Sequence, residues 1–170
     1  MKKTLLGLMT SLLLALNSHA VDLRIISGAM LPDNEHLKDS TPLGIEISEY
    51  TNNDYNGFSY GLRAGFVSID GDVSEGSYAN LNMEVLYRYK RRYEPYIMFG
   101  TLYQNLEKED FGYGYSYGGG VRYVWANGMQ IGAEFFIQKM TYKSGRDKTL
   151  SYNNQKYKSH NVGTYIGYRF

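Results

Sequence analysis

The stretch from Val162 to Phe170 alternates strictly, and the alternation separates charge from apolar bulk. Val162, Thr164, Ile166, Tyr168 and Phe170 share one parity, while Gly163, Tyr165, Gly167 and Arg169 share the other. A period of two is that of an extended strand, whose successive side chains point to opposite faces. A chain patterned in this way must bury one face and show the other to a second environment. The same separation recurs upstream, so the fold is decided by which face turns inward.

Eight such stretches can be read along the chain. They are Val21 to Gly28, Leu43 to Tyr50, Gly57 to Val67, Tyr78 to Tyr89, Pro95 to Asn105, Tyr113 to Trp125, Met129 to Tyr142 and Lys156 to Phe170. The first is weakly patterned. In the fifth, Ile97, Phe99, Thr101 and Tyr103 are assigned to the apolar face. Pro95 is tolerable there because it opens the strand. Asn127-Gly128 is a hairpin signal, and residues 51–56 (TNNDYN) and 90–94 (KRRYE) read as turns. The connections after the second, fourth and sixth stretches come out at about three to six residues. Those after the first, third, fifth and seventh come out at about seven to fourteen, an asymmetry expected of a barrel that crosses a membrane.

Charge decides the orientation. Arg63, Arg88, Arg122, Arg169, Glu46, Glu84 and Glu134 all fall opposite the apolar parity. An arginine facing lipid at mid-depth costs about 2–4 kcal/mol, so in a lipid-facing barrel these residues turn inward. Arg63 with Glu84, Arg122 with Glu134, and Glu46 beside the third stretch then form an interior polar network together with Arg169. The interior of an eight-stranded barrel is just wide enough to be filled by side chains. Lys139 breaks the parity, but it lies near a strand end, where its stem can snorkel. Tyr87, Tyr89, Tyr123, Trp125 and Tyr168 lie near one set of strand ends, and Tyr115 and Tyr117 near the other, as interfacial girdles would. A lipocalin-like barrel would need every face inverted and would leave those aromatics unexplained.

Composition agrees. The chain has 18 tyrosines and 19 glycines but only 3 prolines, which is poor helix chemistry and good strand chemistry. The absence of cysteine excludes a disulfide framework and thiolate metal sites. Met1 to Ala20 reads as a secretory signal: Lys2 and Lys3, an apolar run from Leu5 to Leu16, then Ser18-His19-Ala20 before a cut. That run is short of the roughly 20 residues a membrane helix needs. Residues 21–170 form one barrel domain. They carry 16 Lys and Arg against 17 Asp and Glu, a balance that gives no footing for nucleic acid.

Phe170, with Tyr168 and Ile166 two and four positions before it, resembles the C-terminal signature of bacterial outer-membrane barrels. Together with the strand count and face pattern, the chain resembles the small eight-stranded outer-membrane proteins of the OmpX/OmpA-barrel type. The resemblance implies an all-β, eight-stranded antiparallel transmembrane barrel in meander order. It also implies export through the Sec pathway, periplasmic termini, and Ile166, Tyr168 and Phe170 read by the barrel-assembly machinery. The surroundings would be outer-membrane lipid and lipopolysaccharide, and the state monomeric. It supplies no activity and no peptidoglycan-binding domain.

The chain carries no recognisable catalytic constellation. The deacylase-type outer-membrane enzymes use a His-x-Ser pair with a Glu nearby, whereas His160 is followed by Asn161 and Val162. Ser159-His160-Asn161 cannot converge on an intact strand, because neighbours face opposite sides. His36 with Asp33, Glu35 and Asp39 reads as a solvated loop rather than a metal site. No catalytic, cofactor or metal residue is assigned. Lys143, Arg146, Lys148, Lys156 and Lys158 make the last loop and its rim basic. The expected function is non-enzymatic: envelope integrity, or surface interaction through the loops. The alternatives are a narrow solute channel and a lipid A-modifying enzyme.

Overall fold

The computed structural model describes residues 20–33, 39–50, 56–70, 76–90, 92–106, 111–143 and 156–170. Eight strands follow one another: β1 (Ala20–Pro32), β2 (Thr41–Tyr50), β3 (Gly57–Asp70), β4 (Gly76–Arg88), β5 (Tyr93–Leu106), β6 (Phe111–Val124), β7 (Met129–Lys143) and β8 (Lys156–Arg169). Each pairs antiparallel with the next, and β1 pairs with β8, closing the barrel. Closure removes the free edges that an open sheet would expose. The seam runs from Asp22 opposite Arg169 to Pro32 opposite Ser159.

The parity read from the sequence is the parity of the structure. Leu23, Ile25, Ile45, Leu62, Phe66, Leu81, Met83, Ile97, Phe99, Val121, Ile131, Phe135, Val162 and Ile166 are exposed on the outside. The interior holds Asp22, Arg24, Glu46, Arg63, Glu84, Glu94, Arg122 and Glu134 together with Asn82, Gln130 and Gln138, buried although polar. The barrel is therefore inverted relative to a soluble protein.

Several boundaries differ from the sequence reading. β3 continues to Asp70 and β4 begins at Gly76, so residues 71–75 separate them; residues 107–110 separate β5 from β6. These connections were expected to be long. In the first of these Ile69 turns inward and is buried, carrying the β3 ladder past the expected end. Residues 33–40 and 144–155, which part β1 from β2 and β7 from β8, are longer. Glu94 was placed in a turn, but β5 begins at Tyr93, and Glu94 is buried in the barrel. The secretory signal and the cluster around His36 lie outside the described residues, apart from Ala20, which opens β1, and Asp33 and Asp39.

At the end that carries both termini, the turn between β6 and β7 is tight. Gly128 takes a left-handed conformation (φ 88°), which a side chain would resist, and Asn127 Oδ1 accepts a hydrogen bond from Met129 N at 3.1 Å. Interior glycines make room for rings. Gly120 lies against the Tyr96 ring and Gly132 against the Tyr165 ring, so close that a Cβ would overlap either.

Candidate functional site in the barrel interior

Strand alternation delivers five arginines and five carboxylates to one enclosed space. Arg24 and Asp22 come from β1, Glu46 from β2, Arg63 from β3, Glu84 and Arg88 from β4, Glu94 from β5, Arg122 from β6, Glu134 from β7 and Arg169 from β8. Buried charges survive only when paired and hydrogen-bonded, and these are paired across the lumen.

Three tiers can be followed from the terminal end. In the first, Arg169 grips two acids at once. Its Nε and Nη2 donate to Asp22 at 2.7 and 3.0 Å, and its Nη1 and Nη2 donate to Glu94 at 2.7 and 2.8 Å. Arg122 binds the same two acids, to Glu94 at 2.5 Å and to Asp22 at 3.0 Å, and Arg88 Nε donates to Glu94 at 3.0 Å. In the second tier, Glu84 sits between Arg24 at 3.3 Å, Arg63 at 3.2 Å and Arg122 at 3.7 Å. Tyr50 is the hub: its hydroxyl donates to Glu84 and accepts from Arg24, and from Arg122 at 2.8 Å. In the third, Arg63 Nη1 meets Glu134 at 2.8 Å and Glu46 at 3.2 Å. Tyr96 donates to Glu134 at 2.7 Å and Asn80 to Glu46 at 3.1 Å.

Rings complete the packing. The Arg122 guanidinium lies 4.7 Å from the Tyr50 ring centre, and that of Arg24 lies 5.0 Å from Tyr165, within cation–π range. Beyond the third tier, towards the longer connections, charge gives way to apolar Ile26, Met30, Val67, Ile69 and Tyr78 and to uncharged polar side chains. A cavity of about 20 Å³ remains there, lined by residues including Gln104, Gln138 and Ser159. It is sized for a single water.

All six interior residues proposed from the sequence (Glu46, Arg63, Glu84, Arg122, Glu134 and Arg169) face inward. Arg63 meets both Glu84 and Glu46. The expected pairing of Arg122 with Glu134 is not made: Arg122 points to the first and second tiers, and Glu134 is taken by Arg63 and Tyr96. Their strands adjoin, but Glu134 lies opposite Gly120 and Arg122 opposite Gly132, so the side chains reach in different directions. Sequence reasoning missed Asp22, Arg24, Tyr50 and Glu94. Asp22 and Arg24 do carry the alternating signal with Leu23 and Ile25, but Ile26 obscures it by facing inward among apolar neighbours.

Outside, Tyr87, Tyr89, Tyr123, Trp125 and Tyr168 ring the terminal end together with Phe58, Tyr93 and Phe170. Tyr123 lies 5.0 Å from Tyr93 and 5.0 Å from Trp125, and Tyr168 lies 5.0 Å from Phe170. Tyr103, Tyr113, Tyr115 and Tyr117 are exposed towards the other end. Ile166, Tyr168 and Phe170 share the outward face of β8. His160 also faces outward, whereas Ser159 and Asn161 are buried inside, so the three cannot converge.

No family model and no curated protein matches the sequence. Solved structures match the fold. The N-terminal β-barrel domain of Pseudomonas aeruginosa OprF superposes with a TM-score of 0.59 at 16% identity, covering 89% of this chain and 97% of that one. The fold is that of the small eight-stranded outer-membrane barrels. Ail, the attachment invasion locus protein of Yersinia pestis, solved in complex with the heparin analogue sucrose octasulfate, gives a TM-score of 0.50 at 14% identity, covering 89% and 97%. Identities this low speak to architecture alone.

Proposed function

We propose that the protein is a non-enzymatic integral barrel of a bacterial outer membrane, contributing to envelope integrity or to surface contacts made by its loops. One observation carries this reading: a continuous apolar exterior lies between aromatic rings at its two ends, around an interior of neutralised charge. Water would solvate the opposite arrangement, whereas lipid favours this one. On this reading Met1 to Ala20 directs Sec export, the termini are periplasmic, and the barrel is monomeric. Ile166, Tyr168 and Phe170 present the outward face of β8 to the assembly machinery. An attachment protein of the same architecture, Ail, gives the loop role a precedent.

The interior argues for scaffold over conduit. Arg122 spans from β6 to acids on β1, β4 and β5, and Arg63 from β3 to acids on β2, β4 and β7, so the bore is crossed at successive heights. The decisive experiment is electrophoresis of the outer-membrane fraction, boiled against unboiled. A heat-dependent shift of the band supports a closed barrel in that membrane. A soluble, unshifted band refutes the lipid-facing assignment. Planar bilayers test the conduit reading, which predicts discrete conductance steps; the scaffold reading predicts none.

A further inference from the structure

Glu49 breaks the pattern of the outer wall. It shares the outward, exposed face of β2 with Leu43, Ile45 and Ile47. Its ladder neighbours are Val21 on β1 and Leu62 on β3, so the carboxylate stands in an apolar row. Among the described residues it has no ion-pair partner. Val21 supplies no cation. Its carbonyl accepts a hydrogen bond from Phe170 N at 2.9 Å, so the backbone polar groups of Val21 face β8. An α-ammonium left on Val21 by signal cleavage would face the same way, away from Glu49.

The stagger of the barrel fixes the depth of this carboxylate. One ladder row leaves β8 at Phe170, crosses Val21, Glu49 and Leu62, and after the remaining strands returns to β8 at His160. His160 is ten residues above Phe170 on that strand. Ten residues rise about 33 Å along a strand, or about 25 Å along the barrel axis at a tilt near 40°. Each of the eight steps therefore climbs about 3 Å, and Glu49, two steps from Phe170, stands about 6 Å above it. Phe170 belongs to the aromatic ring at the terminal end, so Glu49 lies just inside the apolar band, within reach of the headgroups. A charge on that face is costly unless a counter-charge meets it.

A groove of about 160 Å³ opens beside the carboxylate, lined by residues including Val21, Ile47, Leu62, Ala64 and Leu81. Ala64 makes the depression. It pairs with Ile47 on one side and Leu81 on the other, and Leu62 and Phe66 flank it on the outward face of β3. The groove thus runs from an anion at the headgroup boundary into the apolar wall.

We infer that this groove seats a phospholipid whose headgroup carries a primary ammonium, of the phosphatidylethanolamine class, from the leaflet on the side of the chain termini. The inference rests on the membrane placement proposed above. The ammonium donates hydrogen bonds to the Glu49 carboxylate, and an acyl chain lies over Ala64 between Ile47 and Leu81. A quaternary ammonium has no N–H to donate, and an anionic headgroup is repelled. The site therefore selects by charge and by hydrogen bonding together.

The test uses the full-length protein folded in detergent, with the heat-dependent gel shift read first for every variant. Loss of that shift in the wild type would sink the membrane reading, whereas lipid retention addresses the groove. Native mass spectrometry counts the phospholipids retained from an equimolar mixture of ethanolamine, choline and glycerol headgroups on identical acyl chains. The wild type is expected to retain the ethanolamine form about tenfold over either of the others, the scale of a hydrogen bond to a charged group against a neutral one. E49Q is expected to remove that preference and E49K to turn it towards the glycerol form. A64L fills the groove and is expected to lower retention of all three alike; if it does not fold, A64V carries the same expectation. Equal retention of the three headgroups by the wild type overturns the site, as does a preference that survives E49Q. Displacement of the bound phospholipid by millimolar ethanolamine would assign the carboxylate to a soluble amine and overturn the lipid assignment. A dimer abolished by E49Q or A64L would seat a second copy in the groove and overturn it likewise.

Discussion

Replacing Arg63 with methionine tests whether the interior is a packed ionic network or a hydrated bore. Arg63 is 1% exposed and touches three carboxylates: Glu134 at 2.8 Å, Glu46 at 3.2 Å and Glu84 at 3.2 Å. Methionine fills much of the volume and supplies no charge. Glu84 keeps Arg24 and Arg122, and Glu134 and Glu46 keep single hydrogen bonds from Tyr96 and Asn80. Two carboxylates are thus left without a cation. Removing one partner of a buried pair costs about 3–5 kcal/mol, whereas replacing the whole group by apolar or neutral residues is close to neutral. R63M is therefore expected to lose about 3–5 kcal/mol, and R63M/E46Q/E134Q to recover most of it. Urea unfolding in detergent, followed by the single tryptophan, Trp125, reads this directly. With a slope of about 2 kcal/mol per molar urea, the midpoint of R63M moves down by about 1.5–2.5 M. A loss below about 1 kcal/mol, or a triple variant no better than the single, would refute the reasoning, because water would then be screening the acids.

Other predictions address the outside, the packing and the assembly route. Ile45 pairs with Ile25 and Phe66 in mid-band, so I45R is expected to cost about 2–4 kcal/mol by the same urea assay, and T41R at the strand end about 0–1 kcal/mol. Gly132 abuts the Tyr165 ring, so G132A is expected to destabilise by about 1–3 kcal/mol through overpacking, and G132A/Y165F not to relieve it, since the ring itself is the obstacle. Phe170 is 73% exposed and touches the Tyr168 ring edge-on. F170A should accordingly leave the in vitro urea midpoint nearly unchanged while reducing the amount of barrel in the outer-membrane fraction of growing cells. A matching loss in both measurements would assign Phe170 to stability rather than to assembly.

The fold was legible because a period of two leaves little freedom. Once Arg63, Glu84, Arg122 and Glu134 share a parity opposite Phe66, Met83, Val121 and Phe135, each strand's faces are settled, and a one-residue slip would move every charge into lipid. The fifth strand followed from the same rule: Ile97 and Phe99 are outside, and Tyr96 and Met98 are buried. Strand ends were less legible. Ile69 breaks the polar-in, apolar-out pattern and Glu94 sits in a charged run that reads as a turn, and only the ladder partners Pro42 and Arg122 show that the strands continue. The partners inside the barrel were least legible, because they are set by direction across the lumen rather than by adjacency along the sheet. Arg122 and Glu134 sit on adjoining strands and do not meet, while Arg169 and Glu94, on β8 and β5, do.

Among the described residues each interior cation is an arginine, and the geometry gives the reason. A lysine ammonium is a compact charge that serves best at a single acceptor site, whereas the guanidinium fork presents five donors in a plane. Arg169 uses that fork to hold Asp22 on β1 and Glu94 on β5 together, and Arg63 to hold acids on β2, β4 and β7. Arg63–Glu134 and Arg169–Glu94 join strands that do not pair with each other, so they tie the wall together where the ladder does not. Lys90, Lys139, Lys156 and Lys158 lie outside the bore, where a flexible stem can carry its point charge to water. Substituting lysine at Arg63, Arg122 or Arg169 would keep the charge count but reduce each cross-strand clamp to fewer bonds. Such variants should fold with near-normal neutrality inside yet unfold at lower urea than the wild type. If R169K instead matched the wild type, charge balance alone would account for the interior, and the clamp would have no role of its own.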